Sequence, residues 1–298
     1  MTPQHDISKQ AESGNISIPF LFQQGNYPFN VDIKYGSVPD YLETPIEQNP
    51  FFEISTNEFL LKIPEIAAFY VTNGEQIIVE KTKNRNHNEI LLFLMDSVFA
   101  VLMHQKGLLS FRGTALEKDG KGILLGGSGG AGKSTLAREL LSHNNFNLIS
   151  DGHVFSDGKS FFSGFQMLTL WQDIVEYYSY GLKSLIRPRT KLNKFWVETN
   201  KLTKNEETEI SAVYHLTQNK KQEYATMDIT GAQKLKYLWN NTSYRRLAEL
   251  MERKKKNFGV LAQLAGKINM KELAFYPKVE KEMDPGKLAR IIINDFKK

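Results

Sequence analysis

The sequence predicts an α/β protein in which a mixed sheet surrounds a phosphate-binding loop and a small β-rich unit precedes it. Three observations carry this reading. Gly127-Ser128-Gly129-Gly130-Ala131-Gly132-Lys133-Ser134 fits G-x-x-x-x-G-K-[ST] at every fixed position. The apolar run at 122–125 and the helical spacing over 135–141 supply the strand and helix that such a loop joins. Upstream, residues 16–80 alternate β-rich segments with turn residues. The expected domains are a flexible start at 1–15, a β-rich unit at 16–86 and a larger phosphate-loop domain at 87–298.

Composition narrows the function classes. With 298 residues, 41% hydrophobic and 24% charged, the chain can bury a sizeable core. A net charge of +5 and a pI near 9.0 suit an anionic ligand, but the charges are dispersed, so no nucleic-acid partner is expected. The absence of cysteine excludes disulfides, thiol catalysis and Cys-ligated zinc, and fits a cytoplasmic protein. Residues 1–6 are polar and lack the apolar core of a signal peptide. The most apolar run, 90–103, is interrupted by Asp96 and is too short to span a bilayer, so no membrane partner is expected either.

Taken in order, residues 1–15 lack periodicity and 16–22 form the first apolar run. Residues 31–35 alternate and stop at Gly36, which predicts a half-buried strand. Strands follow at 58–63, 67–71 and 76–80, the last two joined by the Asn73-Gly74 turn. The polar stretch 81–87 reads as a solvated connector, with a phosphate-steering patch as the alternative. From 88 to 106, Ile90, Leu91, Leu94, Met95, Val98, Val101 and Leu102 recur at helical spacing and predict a long core helix. His104, near its end, reads as a surface residue or a partner of the helix dipole. Residues 108–116 form a strand, and Asp119-Gly120 turns it into the strand before the loop. Entry from a hairpin is what makes the sheet mixed.

The loop chemistry follows from its residue types. Glycines let successive amides turn into one concavity, and the following helix N-terminus favours phosphate there. Lys133 reaches the outer phosphates, Ser134 ligates Mg²⁺, and Thr135 follows in the first helical turn. Residues 146–150 then form a short strand ending in Asp151, placed to hold Mg²⁺ or to accept a proton from a substrate hydroxyl.

These residues resemble the HPr kinase/phosphorylase family and its wider group, which includes kinases of serine in peptides. The likeness rests on the hairpin 111–116 to 123–125, the loop, the helix and Leu148-Ile149-Ser150-Asp151-Gly152. Softer matches lie at 33–39, 168–171 and 212–216, so that it covers most of 31–296. It implies a mixed-sheet kinase core of the HPr kinase type, ATP and Mg²⁺ as cofactors, and Asp151 as general base on an acceptor serine. It also leaves room for a homo-oligomer. Two positions depart from the family: Gly152 stands where it has a second acid, and Arg112 where it usually has His. Arg112 reads as a surface cation or as one that neutralises phosphate charge. The acidic residue followed by Arg-Gly-Leu-Gly that marks the bifunctional enzymes is absent, so HPr is not the expected acceptor.

In the remaining third, Asp157-Gly158 is a second turn, and Trp171 reads as a core or rim aromatic. Arg187-Pro188-Arg189-Thr190-Lys191-Leu192-Asn193-Lys194 concentrates four cations, either a solvated loop or a charge clamp for phosphoryl transfer. Asp173, Glu176, Tyr177 and Tyr178 suit a helix surface, and Glu206-Glu207 and Lys220-Lys221 simple surface charge. A helix over 244–256 would end in a basic run that complements its dipole. The last helix begins near Asp284-Pro285 and packs Leu288, Ile291 and Ile292. The expected function is transfer of the γ-phosphoryl group of ATP to a serine-type hydroxyl on a peptide or protein. The alternatives are a nucleotide-binding regulatory protein with little turnover, or a kinase of a free small hydroxyl compound such as serine.

Overall fold

A computed structural model describes residues 31–82, 86–143, 145–189, 191–203, 207–218, 224–275 and 284–295. The expectations for 1–15, the apolar run at 16–22, Thr190, Glu206 and Lys220-Lys221 lie outside those residues. The chain divides into two compact units, one up to Gly107 with Tyr244–Lys254, the other Leu108–Ser243 with Lys255–Lys298. The helix expected to open the larger domain therefore clusters with the first unit.

The first unit holds β1 (Asp32–Tyr35), β2 (Glu47–Gln48), β3 (Phe52–Ile54), β4 (Glu58–Ile63), β5 (Ala67–Thr72) and β6 (Gln76–Lys81). They form one sheet in the order β1-β6-β5-β4-β3-β2, antiparallel except where β1 lies parallel to β6. Alternation sets its faces: Ala67, Phe69 and Val71 are buried while the residues between them are half-buried. Asn73 and Gly74 turn β5 into β6 with φ of 54° and 69°, which Asn and Gly tolerate. A helix of 19 residues follows as α1 (His87–Phe93), a π-turn (Leu94–Val98) and α2 (Phe99–Gln105). By length and composition it could cross a bilayer, yet it is a core helix, with every residue of α2 buried. His104 is fully buried rather than on the surface.

The second unit begins with the hairpin β7 (Leu109–Lys118) and β8 (Lys121–Gly127), followed by α3 (Lys133–Ser142) and β9 (Phe146–Ser156). Next come β10 (Ser160–Phe162), β11 (Met167–Trp171), α4 (Gln172–Tyr177), β12 (Lys194–Glu198), β13 (Glu207–Gln218), β14 (Ala225–Asp228) and α5 (Ala232–Asn241). The chain returns to the first unit as α6 (Arg245–Leu250), then continues as α7 (Lys254–Lys267), β15 (Asn269–Phe275) and α8 (Pro285–Asp295). Seven strands pair in the order β10-β9-β7-β8-β13-β15-β14. β8 is antiparallel to β7 and parallel to β13, so the sheet is mixed as the hairpin demands. β11 and β12 form a separate antiparallel pair.

Helices cover both faces of this sheet. Ile123 and Leu125 of β8 pack with Leu136, Ala137 and Leu140 of α3 and with Leu288 and Ile292 of α8. Leu124 faces the other way, toward Leu238 of α5 and Leu261 and Leu264 of α7. Burial on both faces explains why 122–125 reads as a continuous apolar run.

The expected helix over 244–256 is two helices. Glu252 takes φ 60°, the Arg253 amide donates to Ala248 O and the Glu252 amide to Glu249 O, which ends α6 in a left-handed cap. Lys254–Lys256 consequently opens α7 instead of closing the helix before it.

Candidate functional site

The site lies where β8 stops and its antiparallel neighbour does not. Thr114 of β7 pairs with Leu125 on one side and Asp151 on the other, while Arg112 pairs with His153 of β9 beyond the last β7–β8 pair. Gly127 ends β8 with φ +131°, and a Cβ there would lie 2.6 Å from Leu216 O of β13. Gly130 and Gly132 follow with φ of +80° and +81°, and Gly132 caps α3. Left-handed residues of this kind turn successive amides to one side, and the helix dipole adds positive potential there. Ser128, Gly129 and Gly130 are exposed, Ala131 is buried against the core, and Gly132, Lys133, Ser134 and Thr135 are half-buried in and before the first turn of α3.

Lys133 folds back over the loop, donating from Nζ to Gly127 O at 3.0 Å and Ser128 O at 2.7 Å. Burial lowers its pKa; Asp151 opposes that shift, while Arg112 and Lys194 add to it. An ammonium held this way is poised to exchange loop carbonyls for an anion.

Asp151 is not at a strand end, as the sequence suggested, but in the middle of β9, which runs on to Ser156. A β-bulge aims it. Leu116 pairs with Leu148 and the adjacent Ala115 with Ser150, so Ile149 is an extra residue opposite β7. Without the bulge, strict alternation through Leu148, Ile149, Ser150 and Asp151 would turn Asp151 to the face of α5 and α7. With it, Asp151 sits 3% exposed beneath α3. Its Oδ1 accepts from Thr114 Oγ1 at 2.5 Å, its Oδ2 from the Thr169 amide at 2.8 Å, and Ser134 Oγ reaches the two oxygens at 2.9 and 3.0 Å. Burial raises the Asp151 pKa, opposed by the bonds from Thr114, Thr169 and Ser134 and by the Lys133 charge. Gly152, where the resemblance expects a second acid, has φ +89° and pairs with Gly113.

The structure therefore brings together the residues expected at the site: the loop, Lys133, Ser134, Thr135, Asp151 and the exposed Arg112. The basic stretch 187–194 behaves differently. Arg187 closes its own loop, donating from Nε to Leu192 O at 3.0 Å, bonding Asn193 and lying 5.8 Å from the Phe195 ring centre. Lys194 acts on Lys133, with its Nζ 4.4 Å above the ring of Trp171, a rim aromatic at 45% exposure. Tyr178 is not a bare surface residue: its hydroxyl donates to Glu139 Oε2 at 2.9 Å and its ring lies 4.0 Å from the Arg138 guanidinium, tying the end of α4 to α3.

Sequence reasoning missed Thr114, Thr169 and Asn241. Thr114 lies two residues from Arg112 on one strand face, a period-2 signal that was there to be read. Thr169 contributes a backbone amide, which no residue type announces. Asn241 ends α5 and accepts from the Gly127 amide at 3.3 Å, across 114 residues of sequence.

No family model matches the chain, and no curated protein matches it. Among solved structures it is similar to the Hpr(Ser) kinase/phosphatase from Coxiella burnetii, at 13% identity and a TM-score of 0.31, over 62% of this chain and 89% of that one.

Proposed function

We propose that the chain is an ATP-dependent phosphotransferase acting on a serine-type hydroxyl of a peptide or protein. One observation carries the reading: the Ser134 hydroxyl, in the first turn of α3 behind a glycine-rich loop and Lys133, is bonded to both oxygens of a buried carboxylate, Asp151. A serine and an aspartate so paired are what a magnesium-bound polyphosphate requires from protein, since Mg²⁺ takes one or two protein ligands and fills its octahedron with phosphate oxygens and water. The donors fit that ion: among the described residues no cluster of three or more His, Asp or Glu offers an all-protein cage. Ser134 and Asp151 would hold it, and it would supply neutralisation of charge on the outer phosphates.

The rest of the transfer belongs to the chain's own groups. Loop amides and Lys133 hold the phosphates, and Arg112 and Lys194 add positive charge at the mouth, where charge spreads over the transferred group. Asp151 would also orient the acceptor hydroxyl and take its proton. A cytoplasmic site of action suits a cysteine-free chain that uses ATP.

A second reading, a nucleotide-binding regulator with little turnover, has its own support. Three donors already occupy Asp151, and Gly152 supplies no second carboxylate. Purified protein given γ-labelled ATP·Mg²⁺ with serine-containing peptides and, in parallel, free serine separates these readings. Labelled peptide that disappears in Asp151→Asn supports the kinase; tight nucleotide binding with no labelled product in any arm supports the regulator. Labelled serine alone identifies a small-molecule kinase.

A further inference from the structure

The first amide of the glycine-rich loop is held from outside the loop. Gly127 N–H donates to Asn241 Oδ1 at 3.3 Å, and the same side chain donates from Nδ2 to Tyr237 O at 3.0 Å and to His215 Nδ1 at 3.2 Å. The fit is close: a Cβ on Gly126 would come within 3.1 Å of Asn241 Nδ2 and 3.5 Å of His215 Nδ1. Asn241 itself is fixed because the end of α5 is pinned to β7, with Thr242 bridging Phe111 and the Ser243 amide donating to Ser110 O at 2.7 Å.

The direction of these bonds carries information. An amide nitrogen only donates, so His215 Nδ1 must present its lone pair, and the imidazole is neutral. A proton on Nδ1 would face the Asn241 NH₂ group, donor against donor. That repulsion works against the bond from Nδ2 to Tyr237 O: turning Asn241 over to offer its oxygen to His215 gives up that bond and leaves an NH₂ group facing the Gly127 N–H. The bond to the loop is then lost.

We propose that Asn241 is a positioning residue for the phosphate-binding loop, its amide kept the right way round by Tyr237 O and by the unprotonated Nδ1 of His215 together. The groups facing His215 come from three further elements. Tyr237 of α5 packs edge-on at 4.4 Å between ring centres, and Glu272 of β15 is its register partner. Lys133 of α3 acts on it through charge. The Glu272 carboxylate is itself held by Thr217 Oγ1 at 2.6 Å and Tyr237 OH at 3.2 Å. Burial lowers the His215 pKa and Lys133 lowers it further, against the pull of Glu272, which keeps the ring neutral around pH 7. Acidification through the His215 titration therefore releases Gly127 and loosens the grip on phosphate. This consequence for phosphate rests on the nucleotide reading above; the lock itself does not.

The test reads the lock without any nucleotide. In ¹⁵N spectra recorded from pH 8 down to the onset of acid unfolding, the Gly127 amide of the wild type should move through one inflection and exchange faster at low pH. In His215→Gln, whose amide oxygen accepts from Asn241 at every pH, it should stay at the high-pH position. In Asn241→Leu it should sit at a released, pH-independent position. A Gly127 signal that is flat in the wild type, or that titrates identically in His215→Gln, overturns the proposal, and the wild-type titration decides it even if a variant fails to fold. With ATP·Mg²⁺ in calorimetry, the affinity of the wild type relative to His215→Gln should fall about three- to tenfold across the same pH range, the worth of one hydrogen bond. A constant ratio between two binding proteins refutes the effect on phosphate. Absence of binding in both at every pH refutes the nucleotide reading and leaves the amide titration to decide the lock.

Discussion

Asp151 is pulled in opposite directions by burial and by its donors. Burial lifts its folded pKa above the ordinary 3.8, so the native state holds that proton more tightly than the unfolded chain. The stability this gives is fully present below 3.8 and is lost as pH rises through the folded value. Asp151→Asn cannot ionise and escapes that loss. It is expected to melt no lower than the wild type at pH 7, to compare more favourably there than at pH 4, and to lose about 10²–10⁴-fold in transfer rate. Thermal unfolding at the two pH values and a phosphorylation assay check the three statements. Lys133→Ala should remove nucleotide affinity by at least tenfold in calorimetry, because an ammonium that loses two loop carbonyls to bind phosphate has no substitute. At this scale the sequence was legible where residue types recur at fixed local spacing, as in 127–134; Asp151 was singled out too, but as the end of a short strand, whereas β9 runs through it to Ser156. The sequence was silent on Thr169 and Asn241, whose roles exist only after strands and helices from distant parts of the chain have met.

Two glycines on paired strands show what each element tolerates. Gly113 is needed for space, since a Cβ there would lie 2.6 Å from Leu125 O and 2.8 Å from Leu124 Cδ1. Its partner Gly152 is needed for conformation, with φ +89° and nothing within 4 Å of a Cβ. Alanine at 113 should cost about 1–3 kcal/mol through overpacking. Alanine at 152 should cost about 1–2 kcal/mol through backbone strain. Asparagine tells them apart: it should recover part of the loss at 152, where left-handed backbone suits it, and none at 113. Urea midpoints at constant m report the four variants. The hairpin was readable because apolar runs and the Asp119-Gly120 turn are local signals; the order of the seven strands was not read, because it is set by pairings between distant parts of the chain. The bulge at Ile149 was not, because an extra residue shows only against a partner strand. The end of α6 was missed because Glu252, not glycine, takes the left-handed position.

For the molecule as a whole, chain connectivity bears on stability, and so would the proposed nucleotide. On the nucleotide reading, Mg²⁺·ATP at 100 times its Kd should raise stability by about 2.7 kcal/mol, a shift in melting temperature that Lys133→Ala cuts by about half or more. The first unit is discontinuous: α6 packs against α2, the Tyr244 hydroxyl donates to Asp96 Oδ2 at 2.9 Å, and Arg253 donates from Nη2 to Gln105 O at 3.2 Å. Ending the chain at Ser243 should therefore speed amide exchange in 87–105, measured by mass spectrometry.

That discontinuity also sets a schedule for the nascent chain. From Leu108 through Lys254 run 147 residues (254 − 107), which a ribosome must add before the first unit is complete. At about 5–20 residues per second this is a wait of roughly 7–30 s. During that time the partner surface on α2, apolar and incomplete, stands open to solvent and to chaperones. Meanwhile the hairpin, loop and β9 of the second unit have already emerged, but that unit also waits for α7, β15 and α8, so the first unit is the earlier of the two to have all its residues.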